Sequence, residues 1–312
     1  MNKPTIWDKD VIEKLSDSDY RITFPDPATI MGLEKDFIEF WDWKEKDTLL
    51  FCQWMSELIE KNLPSLCVLW KLIKQRINSG LRFVIVDGIG FEEMEEDART
   101  NFILWFCYLV WLPSPTDKIR KQIAWDVKAR KTSHSNTTFS EHDGEAEYHT
   151  DSQFYSDPEK YFSLWTVQHA RDGGGISGLI DGRKLIQFLE NESQEALSTL
   201  RNELFPFRVP SVFTKDGHDG CIEVLQAPIL WEIPIIRYRK DTLQKWILAT
   251  SQLSPSQECA LKVLESAIHN GNFSLNFFLK KGDVIFANNH ELLHSRSSFT
   301  DHWRHLVRVR MN

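Results

Sequence analysis

Residues 273–310, FSLNFFLKKGDVIFANNHELLHSRSSFTDHWRHLVRVR, contain three short runs with strand character: Phe273–Phe278, Asp283–Ala287 and Leu306–Arg310. They are rich in β-branched and aromatic residues, and the turn signal Lys281-Gly282-Asp283 separates the first two. The same texture runs upstream through Gln122–Val127, Tyr161–Val167, Cys221–Leu225 and Ile233–Tyr238, with turns at Asp172-Gly173-Gly174-Gly175 and Asp181-Gly182. Helices are expected only near 182–202 and 254–268 in this half. Many short strands with few helices point to a mainly β fold, a jelly roll or related barrel. The N-terminal part reads differently. Residues 48–78 suggest two helices broken at Pro64, Leu81–Val86 a strand closed by Asp87-Gly88, and 92–111 a further helix. With no repeat, low-complexity segment or linker, the chain reads as one domain over 1–312. Its mostly helical part, 1–115, would pack on the outside of a jelly roll formed by 116–312.

The 312 residues, 42% apolar, suffice for a sizeable core. The formal charge of −8 argues against a broad nucleic-acid footprint. No apolar run is long enough to span a membrane, and the N-terminus lacks the basic start and apolar stretch of a secretory signal. The cysteines, Cys52, Cys67, Cys107, Cys221 and Cys259, are odd in number and form no CxxC pair. A disulfide framework is therefore not expected, and a cytoplasmic location is.

Chemistry is suggested by Glu147-Tyr148-His149-Thr150-Asp151. On a strand, residues i and i+2 share a face, so His149 and Asp151 would offer an imidazole and a carboxylate to one point. With a second histidine, such a pair forms the two-histidine, one-carboxylate set that holds non-haem iron and leaves positions open. Alone, an HxD pair is common and more often a solvated surface feature. A second segment, Asn288-Asn289-His290-Glu291-Leu292-Leu293-His294-Ser295-Arg296, supplies the third candidate, His294. Downstream lie Arg304, Arg308 and Arg310, which share parity on a strand; a guanidinium fork there could take a carboxylate bidentately.

YHTD at 148–151, GGIS at 174–177, NNHELLHSR at 288–296 and RHLVR at 304–308 resemble, in this order, the taurine dioxygenase and clavaminate synthase-like family of iron(II)/2-oxoglutarate oxygenases. Before residue 80 the resemblance fades. It implies a double-stranded β-helix, or jelly-roll barrel, with flanking helices. By position, His149, Asp151 and His294 resemble the iron ligands and Arg308 the arginine that binds the distal carboxylate of 2-oxoglutarate, with Arg310 a rival. Ser177 takes the place of a threonine beside that carboxylate, and Arg304 matches a second basic residue near the cosubstrate. The resemblance implies Fe(II), 2-oxoglutarate and O₂ as cofactor and cosubstrates, and release of succinate and CO₂. It also implies hydroxylation, because related halogenases carry a small residue where Asp151 stands.

The substrate is read as a small polar molecule, such as an amino acid or a natural-product intermediate. Residues 132–148 form a polar, acidic approach in which Glu145 and Glu147 share parity with His149 and could receive a cationic group; an acidic surface lid is the blander alternative. Residues 211–220 look like a second lid. His290 reads as a supporting residue rather than a ligand, His305 as facing the other side of its strand, and His134 and His142 as solvated. Two other functions compete: a jelly-roll protein that binds metal and 2-oxoglutarate without turnover, and a cupin-type hydrolase or isomerase with another metal. The partner expected is a small molecule, with neither nucleic acid nor membrane.

Overall fold

The computed structural model describes residues 6–24, 64–116, 122–130, 138–209, 224–232, 235–244 and 253–312. The first of the two N-terminal helices expected within 48–78, the lid at 211–220, His134, His218, Cys52 and Cys221 lie outside them. Two short helices, α1 (Lys9–Ile12) and α2 (Asp17–Tyr20), precede β1 (Arg21–Thr23). The helical layer is α3 (Pro64–Ser79), β2 (Phe83–Asp87), a 3₁₀ turn and α4 (Glu96–Val110), followed by β3 (Pro113–Ser114) and β4 (Trp125–Val127). Then come β5 (Ala146–His149), β6 (Tyr161–Gln168), β7 (Ser177–Asp181), α5 (Gly182–Glu192), α6 (Gln194–Asn202), β8 (Phe205–Arg208) and β9 (Val224–Ala227). The chain finishes with α7 (Pro255–Ile268), β10 (Ser274–Phe277), β11 (Val284–Asn288), β12 (Leu292–Arg296) and β13 (His305–Met311).

The helix starts follow local chemistry. Ser254 caps α7 through a reciprocal capping box with Gln257, and Pro255 fills the first turn, where a missing N–H costs nothing. Asp181 and Ser193 accept from backbone N–H groups at the starts of α5 and α6, so the single helix expected over 182–202 divides at Ser193. Of the strand expected over Ile233–Tyr238, residues 233–234 lie outside the described ones, and the described part, 235–238, holds an isolated bridge at Ile236.

The strands form two main sheets. One runs β1-β2-β11-β6-β13-β3, with β4 also on β13; the other runs β10-β7-β12-β5. They are separate hydrogen-bonded ladders rather than one closed barrel. Alternation along each strand sorts the side chains. On β11, Val284 and Phe286 join the core under α3 and α4, while Ile285 and Ala287 face the space between the sheets. On β13, Val307, Val309 and Met311 point at the helices, which sends Leu306, Arg308 and Arg310 the other way. The outer face of the four-stranded sheet is covered by α5, α6 and α7.

The N-terminal segment, which carries no recognisable motif, completes the interior. β1 adds parallel to β2, and Arg21 bridges Asp87 and Asp283. Trp7 is fully buried against Phe83, and its indole N–H donates to the Leu81 carbonyl at 2.8 Å. Trp7→Ala should therefore lower stability by about 3–5 kcal/mol in chemical denaturation. A loss below about 1 kcal/mol would mean that this segment contributes no core.

Candidate metal centre and cosubstrate cavity

His149 ends β5 and His294 lies on β12, directly paired with it. Their rings are 4.2 Å apart, and the ligand-capable atoms of His149, Asp151 and His294 all lie within 4.8 Å of one another. The strand stops at His149, so regular alternation does not bring Asp151 into the group. A clamp does. Asp151 N–H donates to Asn289 Oδ1 at 2.7 Å, and Asn289 Nδ2 donates to the carbonyls of Asp151 and Glu159. Ser152 then turns the chain in the left-handed region, at φ 56°. Asn289→Ala would leave these buried groups unpaired; metal affinity is expected to fall roughly tenfold or more, measured by iron(II) titration. An unchanged affinity would assign the aspartate's position to other contacts.

The electrostatics suit a cation. Burial, then the positive neighbours, hold the His149 imidazole well below its usual range; burial leads the fall of His294 to about 4. Both rings are therefore neutral near pH 7, as metal ligation requires. His149 Nδ1 lies 2.7 Å from the Glu147 carbonyl, which can only accept, so Nδ1 carries the proton and Nε2 keeps a free lone pair. His294 Nδ1 is buried with no hydrogen-bond partner. Burial alone would raise the Asp151 carboxyl, but Arg308 and Arg310 outweigh it and keep it ionised. Two neutral imidazoles and one carboxylate fit a mid-row divalent metal such as iron(II).

Beside this group lies a cavity of about 60 Å³, whose lining includes Phe139, His149, Ser177, His294, Arg304 and Arg308. Arg308 Nη1 is 3.2 Å from Asp151 Oδ1, and Arg310 reaches the same carboxylate at 2.9 Å while also donating to Ser152 Oγ. Arg304 sits elsewhere, over Phe299 and against the backbone at Gly175. A Cβ at Gly175 would fall 2.6 Å from Arg304 Nε, and its φ of 71° favours glycine, so GGIS makes room for this guanidinium. Buried nitrogens of Arg296, Arg304 and Arg308 have no hydrogen-bond partner. Burial first, and like charge next, lower Arg304 to about 9 and Arg308 to about 10. Buried guanidinium donors without acceptors are the signature of an anion site.

Glu145 and Glu147 are placed differently from the sequence expectation. Across β12, His294 pairs with His149 but Arg296 pairs with Ala146, so β5 carries an extra residue. The bulge puts Ala146 and His149 on one face, three residues apart. Glu145, Glu147 and Tyr148 line a cavity of about 550 Å³ on the outer face, with Asn276 and Lys240. Two of its lining residues, Ser295 and Tyr148, bring Oγ and OH into the space a Cβ at Gly178 would need. The two acids therefore face away from the His149 cavity. His290 lies 2.8 Å from the Pro158 carbonyl and is not in the metal cluster; His305 pairs with Asp126. Two residues that the sequence reading passed over stand out: Asn289, adjacent to His290, and Arg239, bridged to His149 through the backbone and stacked on Phe139 at 4.1 Å. Asn289 lies inside a recognised motif, whereas Arg239 carries no local signal.

The family model described as "Taurine catabolism dioxygenase TauD, TfdA family" matches residues 61–310. The chain belongs to this family. It is accordingly a non-haem iron, 2-oxoglutarate-dependent oxygenase with the jelly-roll fold of TauD-like proteins. Among solved structures it is similar to an asparagine oxygenase in complex with Fe(II), (2S,3S)-3-hydroxyasparagine and succinate. That match has a TM-score of 0.68 at 13% identity and covers 94% of this chain and 93% of the other. It is also similar to the non-haem iron oxygenase OrfP in complex with Fe and α-ketoglutaric acid, with a TM-score of 0.67 at 14% identity and 94% of each chain covered. No match is found among curated protein sequences. Among the described residues of this TauD-family chain, no helix is long and apolar enough to cross a membrane.

Proposed function

We propose that the protein hydroxylates an unactivated C–H bond of a small polar substrate, with free amino acids the first class to test, and acts in the cytoplasm. The observation that carries this reading is the convergence of two neutral imidazoles, an ionised carboxylate and unpartnered guanidinium donors on one cavity. The amino-acid class is suggested by similar structures, crystallised with hydroxyasparagine and with (3S)-hydroxy-L-arginine. The odd cysteine count, with Cys67 and Cys107 buried as free thiols, supports the location.

In this reading His149, Asp151 and His294 hold iron(II), which with 2-oxoglutarate and O₂ supplies the oxidising power, succinate and CO₂ being released. The roles of the arginines follow from their distances. A 2-oxoglutarate that chelates the metal through its keto and C1 carboxylate oxygens ends in a carboxylate three carbons further on. Arg308, 3.2 Å from Asp151, would meet the chelating, C1 end. Arg304, which lines the same cavity and lies against Gly175, two residues before Ser177, would meet the distal one. This moves the distal carboxylate from Arg308, to which motif position alone gave it, to Arg304. Arg310 holds Asp151 in its ionised form and in place. Phe139 and Phe162, packed on His149 and His294 at 5.0 and 4.5 Å, keep water off the imidazoles. Asp151 occupies the position that a halide would need, which favours hydroxylation.

The test has two stages. Anaerobic protein with iron(II) and 2-oxoglutarate should develop a visible metal-to-ligand charge-transfer band, absent in His149→Ala. Substrate-dependent succinate release across the free amino acids should then pick out one or a few. Absence of the band despite bound iron would remove the cosubstrate reading, and turnover with zinc in place of iron would favour a hydrolase or isomerase. A band with no amino acid accelerating succinate release would reject the substrate class alone.

A further inference from the structure

Arg296, two residues after His294, is buried, and its hydrogen bonds go to backbone carbonyls rather than to a carboxylate. A buried guanidinium is costly unless its donors are satisfied. Here the two Nη groups are spent on backbone, Nε alone being left without a partner: Nη1 donates to the Phe139 carbonyl at 2.9 Å, and Nη2 to the carbonyls of His142 and Gly144. All three acceptors belong to the loop that leads into the bulged strand β5, roughly 150 residues away in sequence. That loop carries Phe139, which packs edge-on against His149, and Ser140, which also lines the cavity. Phe299 N–H donates to the Asp143 carbonyl, tying the same loop a second time. On its other side the Arg296 guanidinium lies 4.9 Å over the Phe299 ring, and Arg304 lies 4.9 Å from that ring as well.

We propose that Arg296 is a positioning residue for cosubstrate binding: it staples the 139–144 loop to β12 and, through Phe299, sets the place of Arg304. It joins the aromatic wall of the cavity to its basic wall. This inference rests on the reading of the cavity as the 2-oxoglutarate site. Lysine cannot replace the arginine, because an ammonium is a point donor without the planar fork that spans separated carbonyls or stacks on a ring. The structural origin of the effect also makes it selective. The metal group is held by Asn289 and by the β5–β12 pairing, neither of which uses the Arg296 side chain.

The test compares wild type, Arg296→Lys and Arg296→Gln as full-length protein, with Phe299→Leu as a variant that leaves the staple intact and removes only the shared ring. Three quantities are read: iron(II) affinity, 2-oxoglutarate affinity from the charge-transfer band, and amide exchange of peptides covering 138–146. Arg296→Lys is expected to weaken 2-oxoglutarate roughly tenfold and to speed exchange in 138–146, with iron affinity unchanged. Phe299→Leu should weaken 2-oxoglutarate without faster exchange there. Faster exchange with unchanged 2-oxoglutarate affinity in Arg296→Lys would overturn the proposal, leaving Arg296 a purely structural staple. Parallel loss of iron and 2-oxoglutarate would overturn it too. Should both Arg296 variants fail to fold, unaltered 2-oxoglutarate binding in Phe299→Leu would overturn the link to Arg304. A wild-type protein without the band would instead count against the cosubstrate reading itself.

Discussion

Asp151→Ala is expected to abolish iron(II) binding and, with it, turnover. It removes one of three groups brought within 4.8 Å, and the two remaining imidazoles cannot hold the metal on one octahedral face. A second effect, on the metal-free protein, comes from the arginines. Arg310 is buried and Arg308 partly so, and both contact this carboxylate, at 2.9 and 3.2 Å. Without it they face each other as uncompensated like charges. Breaking a buried ion pair from one side costs about 3–5 kcal/mol, so the apoprotein should unfold at markedly lower denaturant. Asp151→Asn keeps an acceptor but not the charge and should fall between the two. Urea titration of all three apoproteins checks the order. Equal stability of wild type and Asp151→Ala would mean that the arginines have other partners.

Arg304→Ala should weaken 2-oxoglutarate by roughly a hundredfold, the effect of truncating one side of a buried, hydrogen-bonded charge pair at about 3 kcal/mol. Iron binding should persist, because Arg304 contacts none of the three metal-site residues. The discriminating probe is 2-oxopentanoate, which has the same chelating end and no distal carboxylate. Arg304→Ala should bind it as wild type does, so that the preference for 2-oxoglutarate collapses. Arg308→Ala should weaken both keto acids together, since its contact lies at the chelating end. If the preference collapses in Arg308→Ala and survives in Arg304→Ala, Arg308 takes the distal carboxylate, as motif position first suggested.

The fold class was legible because strand and helix periodicities are local. The run Asp283–Ala287 became β11, Leu306–Arg310 lies within β13, and the helix expected at 254–268 is α7 to within a residue. Boundaries moved where a cap intervened, as at Ser193, or where pairing shrank to an isolated bridge, as at Ile236. The covering of the interior by residues 6–24 was not legible. Trp7 has no periodic companions, and its burial depends on the partner surface around Leu81 and Phe83.

The candidate site divides along the same line. Sequence by itself determined the residue types and their order: an HxD pair, a distal histidine, a glycine turn and three arginines of one parity, which suffice to name the metal chemistry. Tertiary structure decided which groups meet. Strand parity would put Glu145 and Glu147 with His149; the bulge opposite Arg296 turns both to the outer face. The strand ends before Asp151, and a side-chain amide from 138 residues away holds it in the cluster. Parity also makes Arg304, Arg308 and Arg310 equivalent, whereas the structure sets Arg308 and Arg310 on Asp151 and leaves Arg304, just before β13, against Gly175. The physical reason is range. Alternation is a property of a few consecutive peptides, while a bulge, a clamp and the distance of a charge from a metal site belong to pairings between strands far apart in the chain.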